Sequence, residues 1–466
     1  MKKTALLLLT SLFFLTGFGQ EITGQWNGAL KVQRTQLRLV FNVTKTGNGL
    51  SSTMDSPDQG AKGIPTTTTS FENSILKITI ANAKIEYEGT LGNDNIIAGT
   101  FKQGAQSFPM TLTKEKIEKE KPVRPQEPTK PYAYYSEEIT FENKKAGISL
   151  AGTLTLPNKE GIFPVVILIS GSGPQNRDEE LLGHKPFLVI SDYLTKNGMA
   201  VLRYDDRGTA LSKGDFKTAT SADFATDVEA GIDYLKTRKE IDKKKIGLMG
   251  HSEGGLIAPM VAGKSKDVSF IVLLAGTGIQ GDKLLLLQQY LIGKASGVSE
   301  EDLQKNETAN RKIFDIVNKS ANLEKLNIDL TNYFKQTLKD SANAEKPADM
   351  SEDDFVKLKV SQIANPWMQY FIKYNPSPAL ETVKCPVLAI NGEKDLQVPP
   401  KENLEAIKKA LIKGGNKKIT TIEFPNLNHL FQECKTGLPE EYATIEQTFS
   451  PTALTEIVKW IQAQTK

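Results

Sequence analysis

Alternation of hydrophobic and polar residues predicts two regions with different folds. Between about residues 21 and 113, apolar side chains alternate with polar ones, as in Leu37–Val43 and Leu76–Ile80, and glycine-containing turns separate the runs. A period of two residues is typical of strands that bury one face. The first region is therefore predicted to be a small antiparallel β-domain, a meander or barrel of about eight strands.

From about residue 132 to 466, unbroken apolar runs alternate with helical patterns. Asp223–Lys236, for example, repeats its apolar residues with a helical period. The apolar runs include Pro164–Ile169, Met199–Tyr204 and Cys385–Asn391. Such runs are typical of parallel strands buried on both faces. The region is predicted to be an α/β domain with a doubly wound sheet.

Two stretches depart from these patterns. Residues 114–131 alternate lysine and glutamate and then carry a proline at every third position. This proline spacing favours extended polyproline II, so the stretch is predicted to be a semi-rigid linker. Residues from about 276 to 376 have a helical pattern and lie between two predicted sheet strands. They are predicted to form a helical lid inserted into the α/β domain.

The first twenty residues are predicted to be a signal peptide. Lys2 and Lys3 precede the apolar run Ala5–Phe14, and Gly17 and Gly19 have the spacing of a cleavage site. The apolar run is short for a membrane span. We therefore expect an exported protein, periplasmic or secreted, with no stable membrane insertion after cleavage.

Composition narrows the possible functions. The chain has 58 Lys and Arg against 55 Asp and Glu, whereas nucleic-acid binders usually carry a clustered basic surface, so no nucleic-acid partner is expected. Two cysteines exclude a disulfide-dense scaffold and a cysteine-rich zinc site. Any histidine that acts as a base must be His184, His251 or His429. No metal ion or cofactor is predicted.

A glycine-rich motif marks a candidate nucleophile. The predicted strand that ends at Met249 is followed by the sequence Gly-His-Ser-Glu-Gly-Gly, residues 250–255, and then by a helical pattern. In G-x-S-x-G between a strand and a helix, the small residues let the two elements pass closely, and the sharp turn exposes the serine hydroxyl. Ser252 is therefore predicted to be a nucleophile. The alternative is a tight turn with an idle serine.

A serine nucleophile needs a general base. His429 follows the last predicted strand, at the sheet edge where ligands bind in open α/β folds, and it is predicted to be the base. His251, next to the serine, is expected to be packed in the turn. His184 lies in a polar loop much earlier in the chain.

The residue that orients the base should follow the preceding strand. Asp395 is the predicted third member, and Glu393 is the alternative. The chain order Ser252, Asp395, His429 is that of α/β hydrolases.

Two backbone N–H groups are predicted to form an oxyanion hole. One belongs to Glu253, directly after the nucleophile. The other belongs to Ser172, or alternatively Gly173, in the glycine-rich loop after Pro164–Ile169. The loop lacks the lysine of a phosphate-binding loop, so a phosphate site is rejected.

A second set of residues is predicted to bind substrate. Trp367, Phe371 and Tyr374 have the spacing of one helical face near the end of the lid. If that face covers Ser252, it forms an apolar acyl pocket. The alternative is ordinary lid core.

The motifs in combination resemble those of a known family. They are Gly171-Ser172-Gly173-Pro174-Gln175, Arg203-Tyr204-Asp205-Asp206-Arg207-Gly208, Gly250-His251-Ser252-Glu253-Gly254-Gly255 and Asn365-Pro366-Trp367. Over about residues 135–466 the chain resembles exported bacterial α/β-hydrolase carboxylesterases of the EstD type. That group is often labelled serine aminopeptidase or prolyl-oligopeptidase-like by fold. The resemblance implies the same triad and oxyanion hole.

These observations leave three functional hypotheses. The first is an exported serine hydrolase that cleaves small carboxylic esters of short to medium acyl chain. The second is a serine peptidase that uses the same triad. The third is a non-catalytic envelope or glycan-binding protein that uses the β-domain. Trp26 could stack on a sugar there, although a core position is favoured.

Overall fold

The computed structural model describes residues 22–32, 35–47, 49–104, 106–118, 123–340 and 350–466. These residues belong to two compact units, 1–121 and 122–466. The predicted signal peptide, residues 1–20, lies outside the described residues.

The first unit is a nine-stranded antiparallel sheet within the described ranges. The strands are β1 (Gly24–Val32), β2 (Thr35–Thr46), β3 (Gly49–Ser56), β4 (Ala61–Pro65), β5 (Thr68–Glu72), β6 (Ile75–Ile80), β7 (Ile85–Leu91), β8 (Ile97–Gln103) and β9 (Gln106–Thr113). Their order is β4-β3-β2-β1-β9-β8-β7-β6-β5. Pairing of β1 with β9 joins the two halves. The predicted antiparallel β-domain is confirmed.

Trp26 belongs to the core of this sheet. Its side chain is 1% exposed and donates its ring N–H to the carbonyl of Ile22 at 2.7 Å. The Lys114 ammonium lies 4.1 Å from the ring centroid. Because the ring is buried and has a cation on its face, Trp26 offers no platform for a sugar.

The second unit combines a mixed sheet with helices. Its strands are β10 (Tyr135–Asn143), β11 (Ile148–Leu156), β12 (Phe163–Ile169), β13 (Ala200–Tyr204), β14 (Ile241–His251), β15 (Val268–Leu274), β16 (Val387–Gly392) and β17 (Ile419–Phe424). Its helices are α1 (Pro186–Lys196), α2 (Ser221–Thr237), α3 (Glu253–Ala262), α4 (Gly281–Ala295), α5 (Glu300–Lys319), α6 (Leu323–Asp340), α7 (Glu352–Ile363), α8 (Pro366–Lys373), α9 (Ser377–Thr382), α10 (Pro400–Lys413) and α11 (Pro451–Thr465).

The sheet order is β10-β11-β13-β12-β14-β15-β16-β17. The six strands from β13 to β17 in that order are parallel, and β10 and β11 form an antiparallel edge. Apolar residues of α1 and α11 cover one face, and those of α2, α3 and α10 cover the other. Because both faces are covered, the central strands carry buried apolar residues on both faces, as in β12, β15 and β16. This doubly wound arrangement confirms the predicted α/β-hydrolase fold class.

Helices α4 to α8 form the inserted lid between β15 and β16. They have their own apolar cluster, which includes Val317, Leu326, Leu330 and Ile372. Leu284 of α4 and Phe371 of α8 instead join the core beside the sheet. The lid is therefore a small helical layer whose first and last helices are anchored in the main core.

Part of the stretch predicted as a linker lies on the second unit. Arg124 donates to the carbonyls of Ile445 and Ala443 at 2.8 and 3.0 Å. The side-chain oxygen of Gln126 accepts from the N–H groups of Thr448 and Phe449 at 2.6 and 3.0 Å. These bonds fix the start of the second unit to its own surface. Among the described helices, none has the length and apolar character needed to cross a membrane.

Candidate active site

Ser252 occupies a strained turn between β14 and α3. Its backbone has φ 52° and ψ −113°, a conformation that costs a non-glycine residue about 1–3 kcal/mol. The turn is held by the bond from the Ser252 N–H to the Leu274 carbonyl, 2.9 Å. A Cβ on Gly254 would lie 2.1 Å from the Ile169 carbonyl oxygen. Glycine is required there because α3 passes directly over the end of β12.

Asp395 and His429 follow β16 and β17 at the same sheet edge. The His429 Nδ1 and Asp395 Oδ2 atoms are 2.8 Å apart, and both side chains are buried. The other carboxylate oxygen, Oδ1, accepts from the N–H groups of Gln397 and Val398 at 2.8 Å each. Asp395 is therefore fixed by the backbone and can orient His429. A proton on Nδ1 leaves Nε2 free to accept the serine proton.

Ser252 itself has no side-chain hydrogen bond to His429 within the described structure. Catalytic hydrogen bonds are often long before substrate binds and shorten in the complex. The alternative acid, Glu393, is engaged elsewhere, because its Oε2 accepts from the Asn426 N–H at 2.9 Å. Of the two carboxylates considered from the sequence, the structure brings Asp395 to the histidine.

The other two histidines have different surroundings. His184 is buried, with Nε2 2.8 Å from the Tyr442 carbonyl and Nδ1 3.0 Å from Thr448 Oγ1. Burial lowers the pKa of His184, although the Tyr442 carbonyl opposes the shift. Its Nε2 also lies 3.1 Å from Nε2 of Gln432, so the ring contacts the loop that carries His429 without belonging to the triad.

His251 is packed in the turn, as predicted, but it also contacts the candidate base. Its Nε2 lies 3.0 Å from the His429 carbonyl oxygen, and its Nδ1 lies 3.0 Å from Glu179 Oε1. The two imidazole rings are 4.8 Å apart between centroids. Glu179 Oε1 also accepts from the Gly171 N–H at 2.7 Å. Sequence reasoning missed Glu179, which lies 72 residues from its partner.

The candidate oxyanion donors belong to two segments next to the Ser252 turn. Glu253 begins α3, and Ser172 lies in the loop after β12. Neither backbone N–H donates to an acceptor among the described residues. A Cβ on Gly171 would lie 3.3 Å from Ser252 Cβ, so this loop touches the nucleophile turn. Gly173, the alternative donor, lies in the same loop with φ 95°.

Two carboxylates that follow β13 shape the loop. Asp206 accepts from the Ser170 hydroxyl at 2.7 Å and from the Gln175 N–H at 2.9 Å. Burial raises the pKa of Asp206 to about 8, although both donors oppose the shift. Asp205 accepts from the Arg177 N–H at 2.8 Å and from its guanidinium at 2.7 Å. Their position directly after a parallel strand is a sequence signal for a role at this sheet edge.

The Glu253 side chain links the turn to the lid. It is buried, and its Oε1 accepts from the Ser221 hydroxyl at 2.6 Å and from the Trp367 ring N–H at 2.8 Å. Burial raises the pKa of Glu253, and the two donors oppose that shift. Trp367, in the first turn of α8, is thus tied to the residue next to the candidate nucleophile.

The three aromatic residues predicted to bind substrate form two separate stacks. Trp367 stacks on Phe371 with ring centroids 5.2 Å apart. Tyr374 follows the end of α8 and stacks on Tyr370 at 5.5 Å. Phe371 is buried, whereas Trp367 and Tyr374 are partly exposed. Among the three, Trp367 is the residue in direct contact with the nucleophile turn.

No set of three His, Cys, Asp or Glu side chains in the described ranges is grouped closely enough to hold a metal ion.

Known proteins that are similar to this chain include hydrolases. A model of the family described as X-Pro dipeptidyl-peptidase (S15 family) matches residues 146–414, a range that includes Ser252 and Asp395. Esterase EstD of Thermotoga maritima is 28% identical over 306 residues, which are 64% of this chain and 61% of EstD. The aligned part is therefore less than two thirds of that relative's length.

Solved structures similar to this chain include other hydrolases. The esterase Pf2001 of Pyrococcus furiosus has a TM-score of 0.42 and 16% identity, covering 71% of this chain and 93% of its own. The α/β hydrolase GrgF from Penicillium has a TM-score of 0.44 and 13% identity, covering 71% of this chain and 99% of its own.

Proposed function

Because this chain belongs to the X-Pro dipeptidyl-peptidase (S15) family of α/β hydrolases, we propose that it is a serine hydrolase that cleaves small carboxylic esters. The family membership agrees with the resemblance to α/β-hydrolase carboxylesterases drawn from the motifs. The proposed substrates are esters of short to medium acyl chain, and the proposed catalytic residues are Ser252, His429 and Asp395.

The observation that carries the proposal is the geometry at the sheet edge. The strained serine turn follows the carboxyl end of β14, and the 2.8 Å contact between His429 Nδ1 and Asp395 Oδ2 follows the carboxyl ends of β16 and β17, in the parallel part of the same sheet. Strained backbone at a serine is costly and serves to present its hydroxyl. A buried carboxylate behind an imidazole serves to orient and stabilise a base.

These residues support an acyl-enzyme mechanism. Ser252 Oγ attacks the ester carbonyl carbon while His429 Nε2 takes the hydroxyl proton. The N–H groups of Glu253 and Ser172 stabilise the resulting oxyanion. The bond to the alcohol then breaks, and His429 gives its proton to the leaving oxygen. Water, activated by the same histidine, attacks the acyl-enzyme, releases the carboxylic acid and restores Ser252.

The surroundings of the turn favour esters over peptides with a free amino terminus. A peptidase that recognises a terminal ammonium needs a carboxylate available to it. The buried carboxyl groups around the turn are already hydrogen-bonded within the chain: Glu179 with Gly171, Asp206 with Ser170 and Gln175, and Glu253 with Ser221 and Trp367. An ester makes no such demand.

The second candidate is a peptidase that cleaves after proline. It is favoured by the family description, which names an X-Pro dipeptidyl-peptidase. The two candidates share every catalytic step and differ in the leaving group and the substrate amine. The test is therefore a panel of p-nitrophenyl esters of increasing acyl length beside aminoacyl- and X-Pro-p-nitroanilides, with Ser252→Ala as control.

We expect turnover of the esters that disappears in Ser252→Ala, and a much lower kcat/KM for every anilide. A higher kcat/KM for an X-Pro anilide would replace the ester proposal with the peptidase one. Failure to hydrolyse either class, together with no labelling of Ser252 by a fluorophosphonate probe, would contradict both.

We also propose that the protein is exported, on the basis of the leader-like sequence of residues 1–20. Cell fractionation of the natural host, followed by mass measurement of the mature amino terminus, tests this. A terminus beginning at residue 20 or 21 is expected, and an intact leader in the cytoplasm would contradict export.

A further inference from the structure

His251 connects the nucleophile turn to the loop of the candidate base. It directly precedes Ser252, and its buried ring uses both nitrogens. The Nε2 atom lies 3.0 Å from the His429 carbonyl oxygen. A carbonyl oxygen can only accept, so Nε2 must carry a proton. The ring therefore fixes the backbone of His429 relative to the serine turn.

Glu179 extends this connection to the oxyanion loop. Its Oε1 lies 3.0 Å from His251 Nδ1 and accepts the Gly171 N–H at 2.7 Å. Gly171 immediately precedes the candidate donor Ser172. Glu179 itself has a positive φ of 50°, a conformation that few non-glycine residues adopt without being held in place. One carboxylate oxygen thus contacts both the serine turn and the oxyanion loop.

The hydrogen bonds and the pKa of His251 together point to a charged pair. Nε2 of His251 carries a proton for the carbonyl, and the 3.0 Å contact between Nδ1 and the Glu179 oxygen requires one more proton between those two atoms. Burial lowers the pKa of His251, but Glu179 and the His429 carbonyl outweigh burial, and the pKa is raised above its ordinary value. The other charged or titratable groups that act on this ring are Asp395 and the His429 imidazole.

We propose that Glu179 and His251 are positioning residues that hold the oxyanion loop, the nucleophile turn and the general-base loop in the geometry needed for catalysis. This inference rests on the serine-hydrolase function proposed above. Neither side chain needs to touch the substrate. The three segments that the pair joins lie at residues 171, 251 and 429, far apart in the chain, so local sequence cannot fix their relative positions.

The pair should affect chemistry more than substrate binding. Misplacing an oxyanion donor or a base weakens interactions made in the transition state, which lowers kcat and leaves KM nearly unchanged. A residue that merely stabilised the fold would instead lower the melting temperature without changing the kinetics of the molecules that remain folded.

The test is Glu179→Gln in the full chain, assayed with the best ester of the panel. The amide oxygen can still accept the Gly171 N–H, but it carries no charge to keep His251 protonated. Because burial then dominates, His251 loses its proton at lower pH than in the wild type. We expect kcat to fall by about tenfold or more with KM within about twofold. We also expect kcat of the variant to decrease towards alkaline pH, at pH values where kcat of the wild type does not. Glu180→Gln, at the exposed neighbouring position, is the matched control and should keep the wild-type profile.

Two further measurements complete the test. If the residues act as a pair, the double variant Glu179→Gln with His251→Asn should be no slower than the slower single variant, because interacting residues are not additive. Since the chain has only three histidines, selective ¹⁵N-histidine labelling can follow each ring in the wild type. The His251 ring should stay doubly protonated at pH values above the acidic range in which ester turnover rises with pH, which is called here the acidic limb.

Wild-type kcat and pH profile in Glu179→Gln would overturn the positioning role while leaving the ester proposal intact, because the wild-type panel tests that separately. If the variant does not fold, the labelled wild type decides: a singly protonated His251 ring above that limb would overturn the charged pair.

Discussion

At the residue scale, reactivity depends on which donors and acceptors remain after each side chain has bonded to its neighbours. Asp395 uses both oxygens, on two backbone N–H groups and on His429. The Ser252 hydroxyl and the Glu253 N–H have no partner within the described ranges. The acid is therefore fully held, while the groups that would meet the substrate are open. This contrast separates the candidate reacting atoms from the atoms that support them.

The first prediction concerns Ser252→Ala. It should lower ester turnover by at least about 10³-fold, because members of a triad act as a unit and the residual rate comes from binding and the oxyanion hole. The fold should be retained, since the serine side chain makes no hydrogen bond within the described structure. The check is kcat with a chromogenic ester beside circular dichroism. Turnover at the wild-type rate by a folded variant would remove Ser252 from the mechanism.

The second prediction concerns Asp206, whose pKa burial raises from 3.8 to about 8. In the unfolded chain this carboxyl loses its proton near its ordinary value, whereas in the folded chain it keeps the proton. Folding therefore takes up a proton, and the stability that Asp206 contributes is fully present below the unfolded pKa and is lost as pH rises towards 8. The loss is up to about 1.4 kcal/mol per pH unit.

Asp206→Asn tests this, because an amide can donate to Ser170 and accept from Gln175 without titrating. We expect the free energy of unfolding of the variant, relative to that of the wild type, to increase as pH rises from about 5 to 8. Denaturant unfolding at several pH values measures it, with the solvent-exposed Asp94→Asn as control. Parallel pH curves for Asp206→Asn and wild type would contradict a protonated Asp206.

At the scale of elements, the sequence predicted strands and helices more fully than the contacts between them. The apolar run Pro164–Ile169 corresponds to β12 and the run Cys385–Asn391 to β16, because burial on both faces leaves a pattern in a single strand. Ser252, Asp395 and His429 could be proposed because each follows a predicted strand at one sheet edge.

The contacts that support these residues could not be predicted in the same way. The Glu253 carboxylate meets Trp367 across 114 residues, and His251 meets the His429 carbonyl across 178. Such pairs depend on how loops and the lid pack after folding and leave no periodic signal. The aromatic spacing suggested one face, but the helix ends before Tyr374, so the rings divide into two stacks.

The third prediction concerns this lid contact. If Trp367 lines an acyl pocket, each extra buried methylene contributes about 0.8 kcal/mol, or several-fold in kcat/KM per carbon, until the pocket is full. Trp367→Ala should enlarge the pocket and move the preferred acyl length upward by one or more carbons. The measurement is kcat/KM against acyl length for both proteins.

Trp367→Phe separates two roles of this side chain. It keeps an aromatic ring on Phe371 but removes the N–H that Glu253 accepts, so the acyl profile should stay close to wild type while the lid is less firmly held. Trp460→Ala, which removes an α11 side chain that donates to Thr420 of β17, controls for general loss of a tryptophan. Identical acyl profiles for wild type and Trp367→Ala would mean that the ring is lid core.

At the scale of the whole molecule, the chain divides its apolar residues between two units. The β-unit has its own buried cluster, which includes Phe41, Leu76 and Ile97. The α/β unit buries separate clusters on the two faces of its sheet. A domain with its own core can in principle fold alone. Each candidate site residue, and each hydrogen-bond partner described for it, lies in the α/β unit.

The fourth prediction follows from that division. A variant that lacks residues 1–121 should fold and hydrolyse a small soluble ester with kcat/KM within about twofold of the full chain. Its first residues are held by the Arg124 and Gln126 bonds to the loop around residues 443–449, so the new amino terminus stays attached to the α/β unit.

The truncated chain that also carries Ser252→Ala is the control for contaminating esterase. Fluorophosphonate labelling counts the competent sites, so that a loss of folded protein is distinguished from a slower enzyme. A well-folded, fully labelled truncation with a strongly reduced kcat/KM would show that the β-unit takes part in turnover of even the smallest substrates.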